Sequence, residues 1–132
     1  MSTPADARIA LIAANWKMHK TIAEAEAYVD ELSARLSDQE GASLEAVQLA
    51  VCPAYTALAA VANRSRGWGL GVFAQNMHEQ PHGAFTGEVS APMLLEVGAT
   101  GVVLGHSERR QCFGETDRAL AGKVPAALEA GL

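Results

Sequence analysis

The sequence predicts an α/β protein with a parallel sheet, and two observations support that prediction. Short apolar runs typical of buried strands alternate along the chain with amphipathic stretches typical of helices. Strands that are separated by helices usually pair in parallel through right-handed crossovers. The chain has 132 residues, 49% hydrophobic and 19% charged, a composition that can bury the core of a single folded unit over residues 1–132.

Four strands and four helices follow from this pattern. The predicted strands cover Arg8–Asn15, Val47–Cys52, Leu70–Gln75 and Gly101–Gly105. The predicted helices cover Thr21–Leu36, Thr56–Ser65, Ala91–Val97 and a last stretch from Thr116 to about Ala130. The start of the first helix is the clearest, because Thr21 and Glu24 form an S/T-x-x-E capping box and an apolar stripe follows them.

Two later helix features rest on single residues. Ser90 caps the third helix, with Pro92 in the first turn and Gly98 just past the end. Pro125 falls inside the last helical stretch, where a proline costs about 3 kcal/mol or kinks the helix. We therefore expect either a kink near Pro125 or two short helices, with Pro125 in the first turn of the second.

Charge and cysteine content exclude several classes of protein. The net charge of −5 disfavours binding to nucleic acids or to membrane surfaces. The apolar run Ile9–Ala14 near the start is too short to span a membrane and lacks the layout of a signal peptide. Cys52 and Cys112 lie far apart without CxxC spacing, which favours a reducing, cytoplasmic location without structural disulfides.

Polar side chains collect where the predicted strands end. The first strand runs into Asn15 and Lys17, and the fourth runs into His106, Glu108 and Arg109. Taken singly, each of these is typically a surface or structural residue. Ligands of parallel α/β folds bind beyond the carboxyl ends of the strands, however, so their convergence predicts a binding site. The cationic side chains favour a small anionic ligand.

Two further candidates have simpler interpretations. His78 and His82 have the four-residue spacing of helical metal ligands, but they lie in a loop without an accompanying cysteine or third histidine, so we expect no metal. Ser107 follows His106 directly, and adjacent residues rarely face each other, so we interpret Ser107 as the cap of a short helical turn. A helix N-terminus disfavours a cationic imidazole, which makes His106 a neutral hydrogen-bond donor.

Three segments of the chain resemble triosephosphate isomerases. They are Ala14–Met18, the loop Gly83–Glu88, and Gly105–Arg110 followed by Phe113–Thr116. All three occur in the family's order and at the matching strand ends. The resemblance implies an α/β fold of the (β/α)8 TIM-barrel family, of which this chain holds only the first four βα units, a half-barrel of parallel strands.

The resemblance also implies an activity, the interconversion of glycerone phosphate and D-glyceraldehyde 3-phosphate through an enediolate, without a cofactor or metal. His106 would polarise the substrate carbonyl as a neutral electrophile, which is a known property of the family. Lys17 would bind the phosphorylated triose and hold developing negative charge, with Asn15 hydrogen-bonding beside it. Glu108 would pair with Lys17. Ser107 and Arg109 would help to position these residues without contacting the substrate themselves.

A homodimer is implied as well. The loop Asn76–Gly87 resembles the family's dimer loop, in which Thr86 would reach into the neighbouring subunit's site near its Asn15. Met18 would lie close to the same interface. No nucleic-acid or membrane partner is expected.

The resemblance covers only half of a barrel, which takes roughly 250 residues. The other half would carry the catalytic glutamate, the mobile lid and the phosphate-binding loops, and neither Glu108 nor Glu115 matches the motif of that glutamate. We therefore expect the 132-residue chain to be inactive by itself. A bare sheet face and open strand edges predict that it is a piece of a longer chain or a self-associating half-barrel. The alternative function is a non-catalytic half-barrel that self-associates.

Overall fold

A parallel sheet of four strands forms within residues 8–38 and 47–132, the part of the chain that the computed structural model describes. The strands are β1 (Ala10–Asn15), β2 (Val47–Cys52), β3 (Gly71–Ala74) and β4 (Gly101–Val102). They lie in the sheet in chain order, and each neighbouring pair is parallel. The predicted parallel α/β architecture is therefore confirmed.

Five helices connect or follow these strands in the same described ranges. They are α1 (Ile22–Ser37), α2 (Tyr55–Arg64), α3 (Ala91–Glu96), α4 (Ser107–Cys112) and α5 (Asp117–Ala130). The capping box of α1 is confirmed: the Thr21 hydroxyl accepts from the Glu24 backbone N–H at 3.5 Å, and the Glu24 carboxylate accepts from the Thr21 N–H at 3.2 Å.

Three strands are shorter than the sequence predicts, with β3 losing one residue at each end and β1 and β4 losing more at one end. β1 begins at Ala10 instead of Arg8, and β4 ends at Val102 instead of Gly105. β4 stops early because its partner β3 ends at Ala74, the residue that pairs with Val102. Most of the remaining boundaries differ from the prediction by about one residue, the usual uncertainty of an element end.

The cap of α4 is His106, and the prediction that Ser107 caps this helix is wrong. The imidazole Nδ1 of His106 accepts a hydrogen bond from the Glu108 backbone N–H at 3.2 Å, which is the bond that a capping hydroxyl would otherwise accept. Ser107 is the first helical residue, and its side chain is exposed.

Pro125 lies within one continuous helix, α5, so a division into two short helices is not observed. The pyrrolidine ring removes only the one hydrogen bond that its own N–H would have donated. α5 begins at a side-chain cap, where Thr116 accepts from the Ala119 N–H at 3.2 Å, and ends at Gly131 in the left-handed conformation. A bend of α5 at Pro125 stays a prediction.

The core lies between the sheet and the helices packed on it, with α1 and α2 joined by Leu94 of α3 and Ala127 of α5. Its largest fully buried members include Val29 of α1, Leu58 and Val61 of α2, and Val51 and Val72 of the central strands. The two helices are also tied at their surface by a bidentate ion pair, in which Arg64 donates to Asp30 at 2.6 and 2.7 Å. These contacts fix the sheet whose strand ends carry the candidate site.

Exposure of the apolar strand residues is confined largely to β1. Leu11 is 50% exposed and Ile12 61%. The bare sheet face that the sequence predicts is not observed at the central strands β2 and β3, where Val51 and Val72 are only 1% and 2% exposed. Each central strand has a neighbouring strand on both of its edges. The Phe73 ring packs directly over Gly101, where a Cβ added to the glycine would lie 2.7 Å from the ring atoms. No helix in the described ranges has the length and hydropathy needed to cross a bilayer.

Candidate active site

The polar residues that follow β1 and β4 meet at a single cavity of about 310 Å³. Its lining comes from the carboxyl ends of the strands and from α4. The polar lining residues are Asn15, Lys17, Tyr55, Gln75, Asn76, His106, Glu108 and Arg109, with Met18 and Phe113 among the apolar ones. Parallel strands put all their carboxyl ends at one edge of the sheet, and this is why residues about 90 positions apart become neighbours.

Lys17 forms a direct ion pair with Glu108 across this cavity. The Lys17 ammonium donates to the Glu108 carboxylate at 2.5 Å, and the two side chains are 51% and 46% exposed. The hydrogen bond from Lys17 holds the pKa of Glu108 below its ordinary value, with the charge of Lys17 acting in the same direction. The Glu108 carboxylate is therefore ionised at neutral pH, and the pair remains accessible to a ligand.

The backbone of Lys17 is held in an uncommon conformation. Its φ angle is +54°, in the left-handed region that a side chain with a Cβ rarely occupies. The Asn15 side-chain oxygen accepts from the Lys17 N–H at 2.9 Å, and the Gln75 amide donates to the Lys17 carbonyl at 2.8 Å. The same Gln75 amide donates to the Cys52 carbonyl at 2.8 Å, so it bridges the ends of β1 and β2. Sequence reasoning placed Gln75 only at a strand end and did not assign it this role.

His106 stands at the amino end of α4 with its side chain 29% exposed. Because Nδ1 accepts the Glu108 backbone N–H, its lone pair is occupied and the ring proton lies on Nε2. The nearer Glu108 carboxylate oxygen is 3.6 Å from Nδ1, which is beyond hydrogen-bond distance. With Nδ1 engaged as an acceptor, Nε2 is the ring nitrogen that can donate a hydrogen bond.

A buried ionic cluster lies behind α4, and sequence reasoning did not find it. One oxygen of Glu115 accepts from Lys123 at 2.8 Å and from Arg109 at 3.1 Å, while the other accepts from the Gly105 backbone N–H at 3.0 Å. Lys123 also donates to the side-chain oxygen of Asn76 at 3.0 Å. Burial raises the pKa of Glu115, but the hydrogen bonds from Lys123 and Arg109 outweigh it and lower that pKa.

Tyr55 connects the cavity wall to this cluster. Its hydroxyl donates to the Asn76 backbone carbonyl at 2.6 Å. Because the side chain of the same asparagine accepts from Lys123, Asn76 links Tyr55 at the cavity wall to the buried lysine. Burial raises the pKa of Tyr55 to about 12, and the nearby carboxylate of Glu88 acts in the same direction. The phenol therefore stays neutral at physiological pH and acts as a hydrogen-bond donor.

A model of the family described as triosephosphate isomerase matches residues 10–132, which is nearly the whole chain. This chain belongs to the triosephosphate isomerase family. The triosephosphate isomerase of Symbiobacterium thermophilum is 49% identical over 125 residues, and that of Chloroflexus aurantiacus is 52% identical over 125 residues. The match covers 95% of this chain in both cases, but 47% and 48% of the relatives.

The fold agrees with a solved member of the triosephosphate isomerase family. The crystal structure of triosephosphate isomerase from Bartonella henselae superposes with a TM-score of 0.82 at 34% identity, over 95% of this chain and 49% of that one. The four strands and their helices thus form one half of a TIM barrel, as the resemblance implies. The chain spans about half the length of the relatives that it matches.

Met18 and Thr86, which were also singled out from the triosephosphate isomerase motifs, lie at different places relative to the cavity. Met18 is 93% exposed at the cavity wall. Thr86 is exposed on the loop after β3 and does not line this cavity. That loop is held by a hydrogen bond from the His78 N–H to the Val89 carbonyl at 2.8 Å. The His78 and Phe85 rings also stack, with their centroids 4.1 Å apart.

The two loop histidines do not form a recognisable metal site. His78 uses Nδ1 to accept from the Gln80 N–H at 3.0 Å, and His82 is exposed. Within residues 8–38 and 47–132, no three histidine, cysteine, aspartate or glutamate side chains are grouped so that they could hold a metal ion.

Proposed function

We propose that this chain provides the electrophilic half of a triosephosphate isomerase active site, acting in glycolysis and gluconeogenesis. The observation that supports this best is the cavity itself, where the Lys17 ammonium and the His106 imidazole come together at the ends of β1 and β4. The reaction would interconvert glycerone phosphate and D-glyceraldehyde 3-phosphate. Neither a cofactor nor a metal is part of the proposal.

The roles follow from charge and hydrogen-bonding capacity. Enolisation of the substrate puts negative charge on the carbonyl oxygen, and donors aimed at that oxygen lower the barrier. His106 donates from Nε2 as a neutral group, while Lys17 supplies a positive charge and attracts the phosphorylated substrate. Asn15 keeps the Lys17 backbone in place through the bond to its N–H and presents its amide to the substrate.

Glu108 acts as the positioning partner of Lys17. The 2.5 Å contact aims the ammonium across the cavity, and both groups are exposed enough for the pair to rearrange when an anion enters. Arg109 lines the same cavity and supports α4 through Glu115. Ser107 lies on the exposed side of the helix, so its proposed role is limited to the helix start.

The proton on carbon needs a carboxylate base, and we do not assign that step to this part of the protein. Glu108 is bonded to Lys17, and Glu115 is bonded to two cations and a backbone N–H behind the cavity. We therefore assign the base to a residue outside these 132, and expect the chain by itself to be inactive. The homodimer, with Thr86 and Met18 at its interface, and a cytoplasmic location are parts of the same proposal.

The test is a coupled dehydrogenase assay of the 132-residue chain and of the full product of its gene, each with matched variants. In the full product, Lys17→Ala should lower kcat/KM by about 100-fold or more, because a charged donor at the developing oxyanion is lost. Lys20→Ala is the control, since this lysine lies three residues away and contacts the Trp16 and Tyr28 rings instead of the cavity. Full products that show no turnover, or equal losses in the two variants, would contradict the proposal.

The exposed apolar residues of β1 favour a second candidate for the 132-residue chain, a self-associating half-barrel without activity. Leu11 and Ile12 present apolar surface that a second copy would bury. Sedimentation of the 132-residue chain tests this candidate directly. A concentration-dependent dimer without turnover would support it, whereas a monomer at high concentration would contradict it.

A further inference from the structure

Glu115 contacts both ends of the turn that carries His106. One carboxylate oxygen accepts from the Gly105 N–H at 3.0 Å, directly before His106, and the other accepts from the Arg109 side chain at 3.1 Å, one turn later. The Glu115 N–H also donates to the Arg109 carbonyl at 3.1 Å. A single residue thus spans the segment whose geometry decides where the imidazole points.

The turn itself requires such support. Gly105 has a φ of +69°, and an added Cβ there would meet Leu120 at 2.9 Å, so the backbone is tightly enclosed as well as left-handed. Its carbonyl accepts from Arg110 at 3.3 Å. Both polar groups of the Gly105 backbone are therefore held by side chains, the N–H by Glu115 and the carbonyl by Arg110.

Glu115 is in turn held by Lys123. The two side chains are only 3% and 10% exposed, and their 2.8 Å contact lies beside the Asn76 amide. Asn76 follows β3, so the chain of contacts runs from a central strand through Lys123 and Glu115 to the start of α4. The pair is buried too deeply to exchange with a ligand in the way that Lys17 and Glu108 can.

We propose that Glu115 is a positioning residue for His106, and that the Lys123–Glu115 pair fixes the imidazole by clamping Gly105 and Arg109 to the sheet. This inference rests on the proposed function for its kinetic consequences. Glu115 does not contact the substrate in this account. It acts by keeping Nδ1 of His106 on the Glu108 N–H and Nε2 directed at the cavity.

The test removes the clamp without leaving a buried charge unpaired. The double variant Glu115→Leu with Lys123→Met replaces both members of the pair by apolar side chains, a change that buried ion pairs often tolerate. In the full gene product kcat should fall about 10- to 100-fold, with KM changed less than about twofold, because the electrophile is misplaced while anion binding persists. Nitrogen NMR of His106 should show that Nδ1 has lost its hydrogen bond.

Asp30→Asn is the matched control, because it breaks the Asp30–Arg64 ion pair between α1 and α2, and neither residue lines the cavity. Its kcat and His106 nitrogen signals should equal those of the unmodified protein. A double variant with unchanged kcat and unchanged His106 signals would overturn the positioning role.

Should the double variant not fold, Glu115→Gln is measured in its place. This variant retains one acceptor and should shift the His106 signals in the same direction by less. Unchanged signals in Glu115→Gln would again overturn the role. Should the unmodified protein lack isomerase activity, the proposed function fails, and the nitrogen signals still decide whether Glu115 positions the imidazole.

Discussion

Lys17–Glu108 and Lys123–Glu115 are both lysine–glutamate pairs at the same end of the sheet, and they differ in exposure. The side chains of the first pair are 51% and 46% exposed, whereas those of the second are 10% and 3% exposed. In the first pair, the Lys17 ammonium and the Glu108 carboxylate bond mainly to each other. In the second, the carboxylate also bonds Arg109 and Gly105 and the ammonium also bonds Asn76.

This difference separates two tasks that the same chemistry can perform. Two charges that keep contact with water lose little energy on separation, so the exposed pair can open, as the proposed binding of an anionic substrate requires. Charges removed from water are held together by their mutual attraction and by further hydrogen bonds, so the buried pair can fix a backbone. The site combines a replaceable pair in the cavity with a permanent pair behind it.

The largest effect should come from breaking the buried pair on one side. Lys123→Met leaves the Glu115 carboxylate buried beside only one cation, and should lower the free energy of unfolding by about 3 kcal/mol or more. Urea denaturation at pH 7 measures this loss. Lys17→Met is the matched variant at the exposed pair, and its denaturation midpoint should stay close to that of the unmodified protein. Equal losses in the two variants would mean that burial does not distinguish the pairs.

Acid should weaken the buried pair in a defined range of pH. The pKa of Glu115 is lowered in the folded chain from an ordinary value of 4.5, so the folded state holds this proton less tightly than the unfolded state. Its contribution to stability is therefore complete above about pH 4.5 and is lost as the pH falls through the lowered pKa. Urea midpoints from pH 7 to 3 should decline less steeply for Glu115→Gln than for the unmodified protein. Parallel curves would contradict this.

Stability at alkaline pH tests the hydrogen bond between Tyr55 at the cavity wall and Asn76 beside the buried cluster. Tyr55 has its pKa raised from 10.0 to about 12 in the folded chain, so the folded state keeps a proton that the unfolded state releases. Its contribution is present below about pH 10 and is lost as the pH rises towards 12. Tyr55→Phe should remove this part of the alkaline decline, and should cost about 1 kcal/mol at neutral pH through the lost bond to the Asn76 carbonyl. An unchanged alkaline decline would show that Tyr55 titrates as it does in the unfolded chain.

The smallest effect on stability should come from Glu108→Gln at the exposed pair. Its denaturation midpoint should not move measurably, because both charges are well solvated. Activity of the full gene product should fall by about tenfold in kcat/KM, since the ammonium of Lys17 loses the partner that aims it. A large loss of stability with unchanged activity would reverse the roles of the two pairs.

Local patterns in the sequence predict much of the fold. The capping box of α1 needs only Thr21 and Glu24, which are three residues apart, and apolar runs bounded by turns locate all four strands. Strand order and the convergence of Lys17 with His106 follow from the general topology of parallel sheets. The boundaries of β4 could not be predicted in this way, because they depend on where its partner β3 ends.

Features that depend on long side chains or on exact backbone angles could not be predicted from the residues. Lys123 reaches Asn76 across 47 positions, and a lysine in an amphipathic helix ordinarily points to solvent. His106 replaces Ser107 as the cap because an imidazole nitrogen can accept the same bond as a hydroxyl, which residue preferences do not reveal. The one signal for the buried cluster in the sequence is the eight-residue spacing of an acidic and a basic residue, Glu115 and Lys123. Because oppositely charged residues at such spacings are common on solvated helices, this signal does not distinguish a buried pair from an exposed one.

The most direct measurement follows the His106 imidazole by nitrogen NMR while glycerol 3-phosphate, a three-carbon phosphate ester without a carbonyl, is titrated into the protein. In the unmodified protein the signals should shift saturably, with Nδ1 remaining a hydrogen-bond acceptor, and Lys17→Ala should abolish saturation at the same concentrations. Signals that do not respond, or that respond equally in Lys17→Ala, would show that the ammonium and the imidazole do not share one anionic ligand.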